Sequence, residues 1–278
     1  MSEPEWRRAN RANWDERVPI HLNSRLHYDQ TRLRAGTARL DQIVADALGP
    51  VAGLRILHLQ CHFGMDSLTL AQQGAKVTGV DFSAPAIEAA RSLAAELGLA
   101  ERARFVLSDV YETAEALHES AGFDRVLVSW GALCWLPDIA AWARVVSHFL
   151  KPGGWLALAD SHPIAWVFDS RTAEPDGLPG FYVPYLDPAP LIEDRTQDYA
   201  DPEVVLKNTR THEWPHPLGE VVTALIDAGL RLDWLREHDR IAWQMFTCLV
   251  RDETGFYRWP DRPWLPLSYS LRASRPGA

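Results

Sequence analysis

Lysine is scarce in this 278-residue chain: only Lys76, Lys151 and Lys207 occur, and the formal net charge is -9. A surface that grips nucleic acid needs clustered cations for phosphate, so no nucleic-acid partner is expected. Cysteine is equally sparse. Cys61, Cys134 and Cys248 are odd in number and lack CxxC spacing. That pattern reads as reduced, buried thiols in a cytoplasmic protein, not as disulfides or zinc ligands. No apolar run approaches the ~20 residues of a membrane span, so no membrane partner is expected either. The charged start MSEPEWRRANRANWDER lacks the apolar stretch of a secretion signal.

Several motifs are missing too. There is no GxGxxG turn for a dinucleotide, and no tyrosine stands four residues before any lysine, both of which disfavour an NAD(P)-dependent oxidoreductase. The GxxxxGK phosphate loop and the GxSxG nucleophile elbow are absent, which argues against phosphoryl transfer and an α/β-hydrolase.

What remains is an ordinary globular composition, 47% hydrophobic, with a clear internal rhythm. Residues 1–50 read as an amphipathic helical cap carrying Trp6, Trp14, Ile20, Leu22 and Leu26, closed by Gly49-Pro50. Short apolar runs at 54–59, 76–80, 104–107, 123–129 and 155–159 alternate with helical patterns. That alternation predicts a Rossmann-like, doubly wound α/β sheet over residues 51–161. Residues 162–217 break the rhythm. They hold Trp166, Phe168, Phe181, Tyr182, Tyr185 and Trp214, too many aromatics for a linker, and read as a lid inserted after strand five. Residues 218–278 complete a seven-stranded sheet with a helix at 218–228 and a final antiparallel pair at 231–236 and 267–273.

In such a sheet, ligands sit beyond the carboxyl ends of the strands. Four chemistry-bearing turns fall there: His58-Leu-Gln-Cys-His-Phe-Gly-Met-Asp66, Asp81-Phe82-Ser83, Ser108-Asp109-Val110 and Ser129-Trp130-Gly131. A carboxylate after strand two can accept from both ribose hydroxyls of a nucleoside. One after strand three can accept from an adenine amino group. Any single Asp at a strand end is more often a cap, but four such turns in order point to one nucleoside-binding site.

On these turns, residues 54–160 resemble the core of class I S-adenosylmethionine-dependent methyltransferases. The run Leu59-Gln-Cys-His-Phe-Gly64 is similar to the first motif of a bacterial small-molecule subgroup. Asn10–Trp14, His21, Leu33-Arg-Ala-Gly36, His212-Glu-Trp-Pro-His216 and Leu267-Ser-Tyr-Ser270 also look like that subgroup. The usual turn has an acid at 58 and glycines at 60 and 62; here stand His58, Gln60 and His62, and only Gly64 keeps the pattern. The resemblance implies S-adenosyl-L-methionine as cofactor. It would be held by Asp81 and Phe82 at the ribose, and by Asp109 and the Val110 backbone at the adenine. Gln60, Cys61, His62 and Gly64 would line the methionine part, with the Ser129 backbone and Trp14 nearby. Asp66 either caps the first helix or joins this set. A non-catalytic binder with an altered first turn is the alternative of a different class.

Methyl transfer from a sulfonium is an in-line displacement, onto oxygen or nitrogen of a small-molecule acceptor. The protein has to align the partners and exclude water, and supplies a base only where the acceptor is protonated. His162 is the leading candidate base, with His212 and His216 second; a hydrogen-bonded structural role is the commoner fate of any one such histidine. Trp130 and Trp135 are placed to face the acceptor or to pack. The lid aromatics suit an aromatic or apolar acceptor, and ten acidic against four basic residues across 162–217 disfavour an anionic one. His58 and His62 across a strand-to-turn junction do not converge, so no metal is expected. A monomer or homodimer is expected; the N-terminal helices are expected to close over the cofactor, so that removal of residues 1–30 abolishes methyl transfer.

Overall fold

Apolar runs long enough for one strand and bounded by turns set the architecture. The computed structural model describes residues 3–24, 28–169 and 179–277. Leu26, and residues 170–178 of the expected lid, lie outside those described.

The chain opens with α1 (Glu5–Asn23), α2 (Thr31–Arg34) and α3 (Gln42–Leu48). It then alternates β1 (Arg55–Leu59), α4 (Met65–Gln72), β2 (Lys76–Asp81), α5 (Ala84–Glu96), β3 (Ala103–Leu107), α6 (Thr113–Leu117), β4 (Phe123–Ser129), α7 (Ile139–Phe149) and β5 (Leu150–Ser161). Two short pairs follow: β6 (Phe168–Asp169) with β7 (Gly180–Phe181), and β8 (Leu191–Asp194) with β9 (Arg210–Glu213). Next come α8 (Leu218–Asp227) and β10 (Arg231–His238). A small sheet of β11 (Arg240–Ile241), β12 (Val250–Arg251) and β13 (Tyr257–Arg258) precedes β14 (Ser268–Ser274).

Seven strands form one sheet in the order β10-β14-β5-β4-β1-β2-β3. β1 pairs in parallel with β2 on one side and β4 on the other, so the winding reverses there and opens a crevice at their carboxyl ends. β14 runs antiparallel to both β5 and β10. The expected final pair is therefore present, with β14 inserted between β5 and β10. The Lys151-Pro-Gly-Gly154 turn lies inside β5 as an irregularity in its pairing with β4.

Local chemistry fixes the helix starts. Ser83 Oγ accepts from Ala86 N and Pro85 occupies the first turn of α5. Asp138 accepts from Ala141 N at 2.7 Å and starts α7. That helix buries Trp142, Val145, Val146 and Phe149 at helical spacing in a core shared with β1, β4, β5 and β14. A second core, on the other face, packs α3, α4 and α5 through Ile43, Leu48, Leu68, Leu70, Ile87 and Leu93.

The N-terminal helix departs from the amphipathic expectation. Of its buried residues, Asn10, Asn13, Arg17 and His21 are polar and only Val18 is apolar. These polar groups recur at helical spacing, so α1 seats a polar face. Asn10 pairs with the backbone of His212 through both amide ends, each at 2.8 Å. Asn13 donates to Asn208 O at 2.6 Å. The small sheet of β11–β13, with its own cluster around Ile241, Phe246 and Trp259, was not legible as more than loop in the sequence.

Gly79, inside β2, meets a crowded wall: a Cβ there would stand 2.7 Å from Phe105 Cδ1 and 2.8 Å from Cys61 Sγ. Gly79→Ala is expected to lose about 1–3 kcal/mol in urea denaturation, the usual cost of overpacking. Adding Phe105→Leu should make the double variant lose less than the sum of the two singles. Strict additivity would show that the crowding is not between these groups.

Candidate active site at the sheet switch point

After β1 the chain turns through Gln60–Gly64 into α4. Gln60, His62 and Gly64 have φ of 55°, 51° and 79°. These are the alternate positions at which the resembling turn uses glycine, so the backbone path persists although two side chains have been added. Left-handed backbone costs an ordinary residue roughly 1–2 kcal/mol. Hydrogen bonds hold it: His62 N donates to Asp81 Oδ2 at 2.8 Å, Cys61 N to Val80 O at 3.0 Å, and Gln60 Nε2 to Ala132 O at 2.7 Å. Gly64 has no substitute, since a Cβ there would stand 2.5 Å from Phe105 Cε1.

The turn floors a cavity of about 350 Å³, in the range of small-molecule sites. Gln60, Cys61, His62, Gly64, Asp66, Asp81, Phe82, Asp109, Val110 and Ser129 all line it, as do Trp14 and Trp130. Trp6 and Trp135 join them, together with Tyr28 and Tyr199, which sequence reasoning missed. Tyr199 comes from a segment far along the chain, and no local pattern marks it.

The carboxylates differ in environment. Asp81 accepts from Ser83 N at 2.9 Å as well as from His62 N. Burial pushes its carboxyl up to about 6, against the pull of those backbone donors, so it is mainly ionised at pH 7. Asp109 accepts from Tyr111 N at 2.9 Å and ion-pairs with Arg7 Nε at 3.0 Å. It is therefore already tied to α1. Asp66 does not cap α4, whose first turn starts from Gly64. Its Oδ2 instead accepts from Ser129 Oγ at 3.2 Å. Burial, with the nearby charge of Asp41, pushes Asp66 up to about 6. Among the described residues no cation pairs with it. His58, where the resembling turn has an acid, is tied to Ser67 Oγ at 2.8 Å, and burial takes its ring down to about 4.

The candidate bases fall elsewhere. His162 caps the turn at 163–167, accepting from Ile164 N at 3.1 Å, with Nε2 2.9 Å from Glu237. His212 sits in β9, tied through its backbone to Asn10, and His216 Nε2 lies 2.6 Å from Leu136 O. None of the three lines the cavity; His62 does. Trp130 Nε1 donates to Asp41 Oδ2 at 2.6 Å, and Trp135 stands edge-on to Trp14 with centroids 5.3 Å apart. Of the expected lid aromatics, Trp166 bonds Ser161 Oγ at 3.1 Å, Tyr182 bonds Glu193 and Tyr185 accepts from Leu218 N. These three stand away from the cavity lining.

Residues 56–154 match a methyltransferase domain. The matched segment of this methyltransferase domain carries the first turn, Asp81, Asp109 and Ser129. Among relatives, a ubiquinone biosynthesis O-methyltransferase of Leptothrix cholodnii is 29% identical over 116 residues, 42% of this chain and 48% of that one. The chain thus spans about half the length of the curated relatives it matches. Among solved structures, an S-adenosylmethionine dependent methyltransferase from Mesorhizobium loti aligns with TM-score 0.58 and 24% identity over 84% of this chain and 95% of that one. The cyclase SpnF aligns with TM-score 0.57 and 16% identity over 95% of each chain. These likenesses place the fold.

Because Asp66 is raised above the ordinary carboxyl value near 4, its ionised form opposes folding above about pH 6. Asp66→Asn is expected to stabilise the ligand-free protein by about 1 kcal/mol at pH 7. The advantage should disappear as pH falls through 6 toward 4, where the wild-type carboxyl is neutral. Urea midpoints at both pH values measure this; a pH-independent difference would assign the effect to packing.

Proposed function

We propose that this protein transfers the methyl group of S-adenosylmethionine to a hydroxyl of a small aromatic acceptor. The observation that carries the reading is the convergence, in one cavity, of the buried Asp81 carboxyl, a second carboxyl at Asp109 and the left-handed 60–64 turn within a methyltransferase domain.

The residues suit that cofactor. Asp81 supplies carboxylate oxygens for vicinal hydroxyls, while Val80, Phe82 and Val110 give apolar surface for a base. Gln60 lines the cavity, and its Oε1 is a buried acceptor without a partner among the described residues. An orphaned acceptor costs about 1–3 kcal/mol, which a donor on the ligand removes. Asp66 offers negative charge for the ammonium. When bound, S-adenosylmethionine supplies an activated methyl group.

The chain's own contribution is positioning and exclusion of water. Trp6 and Trp14 of α1 close one side, and Trp130, Trp135, Tyr28 and Tyr199 add aromatic faces. Such faces attract a cation by roughly 0.5–2 kcal/mol and suit a planar acceptor. The O-methyltransferase relatives support oxygen over nitrogen.

Calorimetric titration with S-adenosylhomocysteine tests the reading. Wild type is expected to bind, and Asp81→Ala to weaken binding by about 1–3 kcal/mol, the value of a hydrogen bond to a charged group. A folded wild type that binds none would sink the proposal. Binding without methylation of any phenol or catechol would favour the non-catalytic alternative.

A further inference from the structure

A chain of hydrogen bonds runs from the cavity into the protein between α1 and the segment before β9. His62 Nε2 lies 2.9 Å from His21 Nδ1, and His21 Nε2 lies 3.1 Å from Asp198 Oδ2. Arg17 Nη1 reaches the same Asp198 oxygen at 2.8 Å. His21 and Asp198 are fully buried side chains, whereas His62 lines the cavity.

The charges allow one arrangement of protons. Burial pushes Asp198 up, but the His21 hydrogen bond and the Arg17 charge outweigh it, so the carboxyl lies below its ordinary value and is ionised. Burial takes His21 below its ordinary value, despite Asp198, and it is neutral near pH 7. Burial, then the adjacent His21, takes His62 further down, so it is neutral too. An ionised carboxylate only accepts, so His21 carries its proton on Nε2. Neutral His21 then offers only a lone pair at Nδ1, and His62 must donate from Nε2. The lone pair of His62 is left on Nδ1, to which no hydrogen bond is made among the described residues.

The surrounding groups preserve this polarity. From α1, Arg17 is ion-paired to Asp198 and bonded to Asn13 Oδ1 at 2.7 Å. Tyr28 stacks on His21 with centroids 4.6 Å apart, and its hydroxyl bonds that of Tyr199. Burial holds Tyr28 well above, and Tyr199 up to about 12, so neither phenol competes as a base. Asp81 meets His62 through the backbone N–H, not through the ring.

We propose that His62 is the general base of the reaction, taking the acceptor's hydroxyl proton at Nδ1, with His21 and Asp198 as positioning residues. The inference rests on the methyl-transfer reading above. In the step, the acceptor O–H bond breaks and its proton goes to His62 Nδ1. The oxygen's electron pair forms the bond to the methyl carbon, and the methyl–sulfur bond breaks with its pair retained on sulfur. The His62 Nε2 proton can move toward His21 Nδ1, which brings the positive charge beside Asp198. His62 is then a catalytic residue built from a position where the resembling turn has glycine.

The test uses the full chain labelled with 15N-histidine, read by NMR from pH 6 to 8 with S-adenosylhomocysteine present. Expected is a neutral His62 protonated on Nε2; a proton on Nδ1, or an imidazolium at pH 7, overturns the relay whatever the acceptor. His21→Phe keeps the ring stacked on Tyr28 and removes both hydrogen bonds. It should bind S-adenosylhomocysteine within about threefold of wild type and lose roughly 10²-fold in kcat toward catechol at pH 7, with KM nearly unchanged. The loss should shrink as pH rises and catechol ionises unaided, and His62→Gln should show the same profile. A loss equal at every pH, or carried by KM or cofactor affinity, would assign these residues to structure alone. Absence of S-adenosylhomocysteine binding by wild type would instead remove the methyl-transfer reading, and the NMR result would stand apart from it.

Discussion

The Asp81 carboxylate is the constraint on which the site's geometry depends. One oxygen accepts from His62 N in the turn after β1, and the other from Ser83 N at the start of α5. A single side chain thus ties two adjacent strand-to-helix turns across the β1–β2 pair. The cost is a buried charge whose carboxyl is pushed up to about 6. Backbone donors offset part of that cost but leave lone pairs uncommitted. A ligand hydroxyl meets an acceptor already fixed in direction, which is the physical meaning of preorganisation.

A second layer comes from α1, and its logic is polar. Asn10, Asn13, Arg17 and His21 are buried on a helix where apolar residues would normally sit. Each finds a partner on the segment around β9: the His212 backbone, Asn208 O and Asp198. Directional bonds of this kind fix register more narrowly than apolar contact does, because a slipped helix leaves buried polar atoms unpaired. The same docking carries Trp6 and Trp14 to the cavity and sets Arg7 against Asp109. One helix thus supplies both the polar docking face and part of the cavity wall.

The parallel strands were legible because each is a short apolar run ended by a turn. Asp81, Asp109 and the first turn were legible because strand ends in such a sheet converge. The polar face of α1 was not, since a buried Asn or Arg looks in sequence like a solvated one. Tyr28 and Tyr199 reach the cavity from loops whose paths depend on tertiary contacts. His162 misled for the opposite reason. A histidine just past a strand end looks available, yet its Nδ1 is occupied by Ile164 N, and the capping role accounts for the residue.

Backbone strain gives the most economical account of why this first turn differs from a glycine-rich one. Among the described residues, five other than glycine have positive φ, and three of them, Gln60, His62 and Trp130, line the cavity. Bulky side chains in that region are outliers that persist only where surrounding contacts hold them. Each of the three sends its side chain to a different partner: Gln60 to Ala132 O, His62 to His21 and Trp130 to Asp41. Those partners lie after β4, on α1 and at the start of α3. Glycine would relieve the strain and lose the tie in every case. The turns after β1 and after β4 therefore exchange local backbone comfort for three tethers that gather separate elements around one cavity, and an imidazole enters that cavity as a consequence.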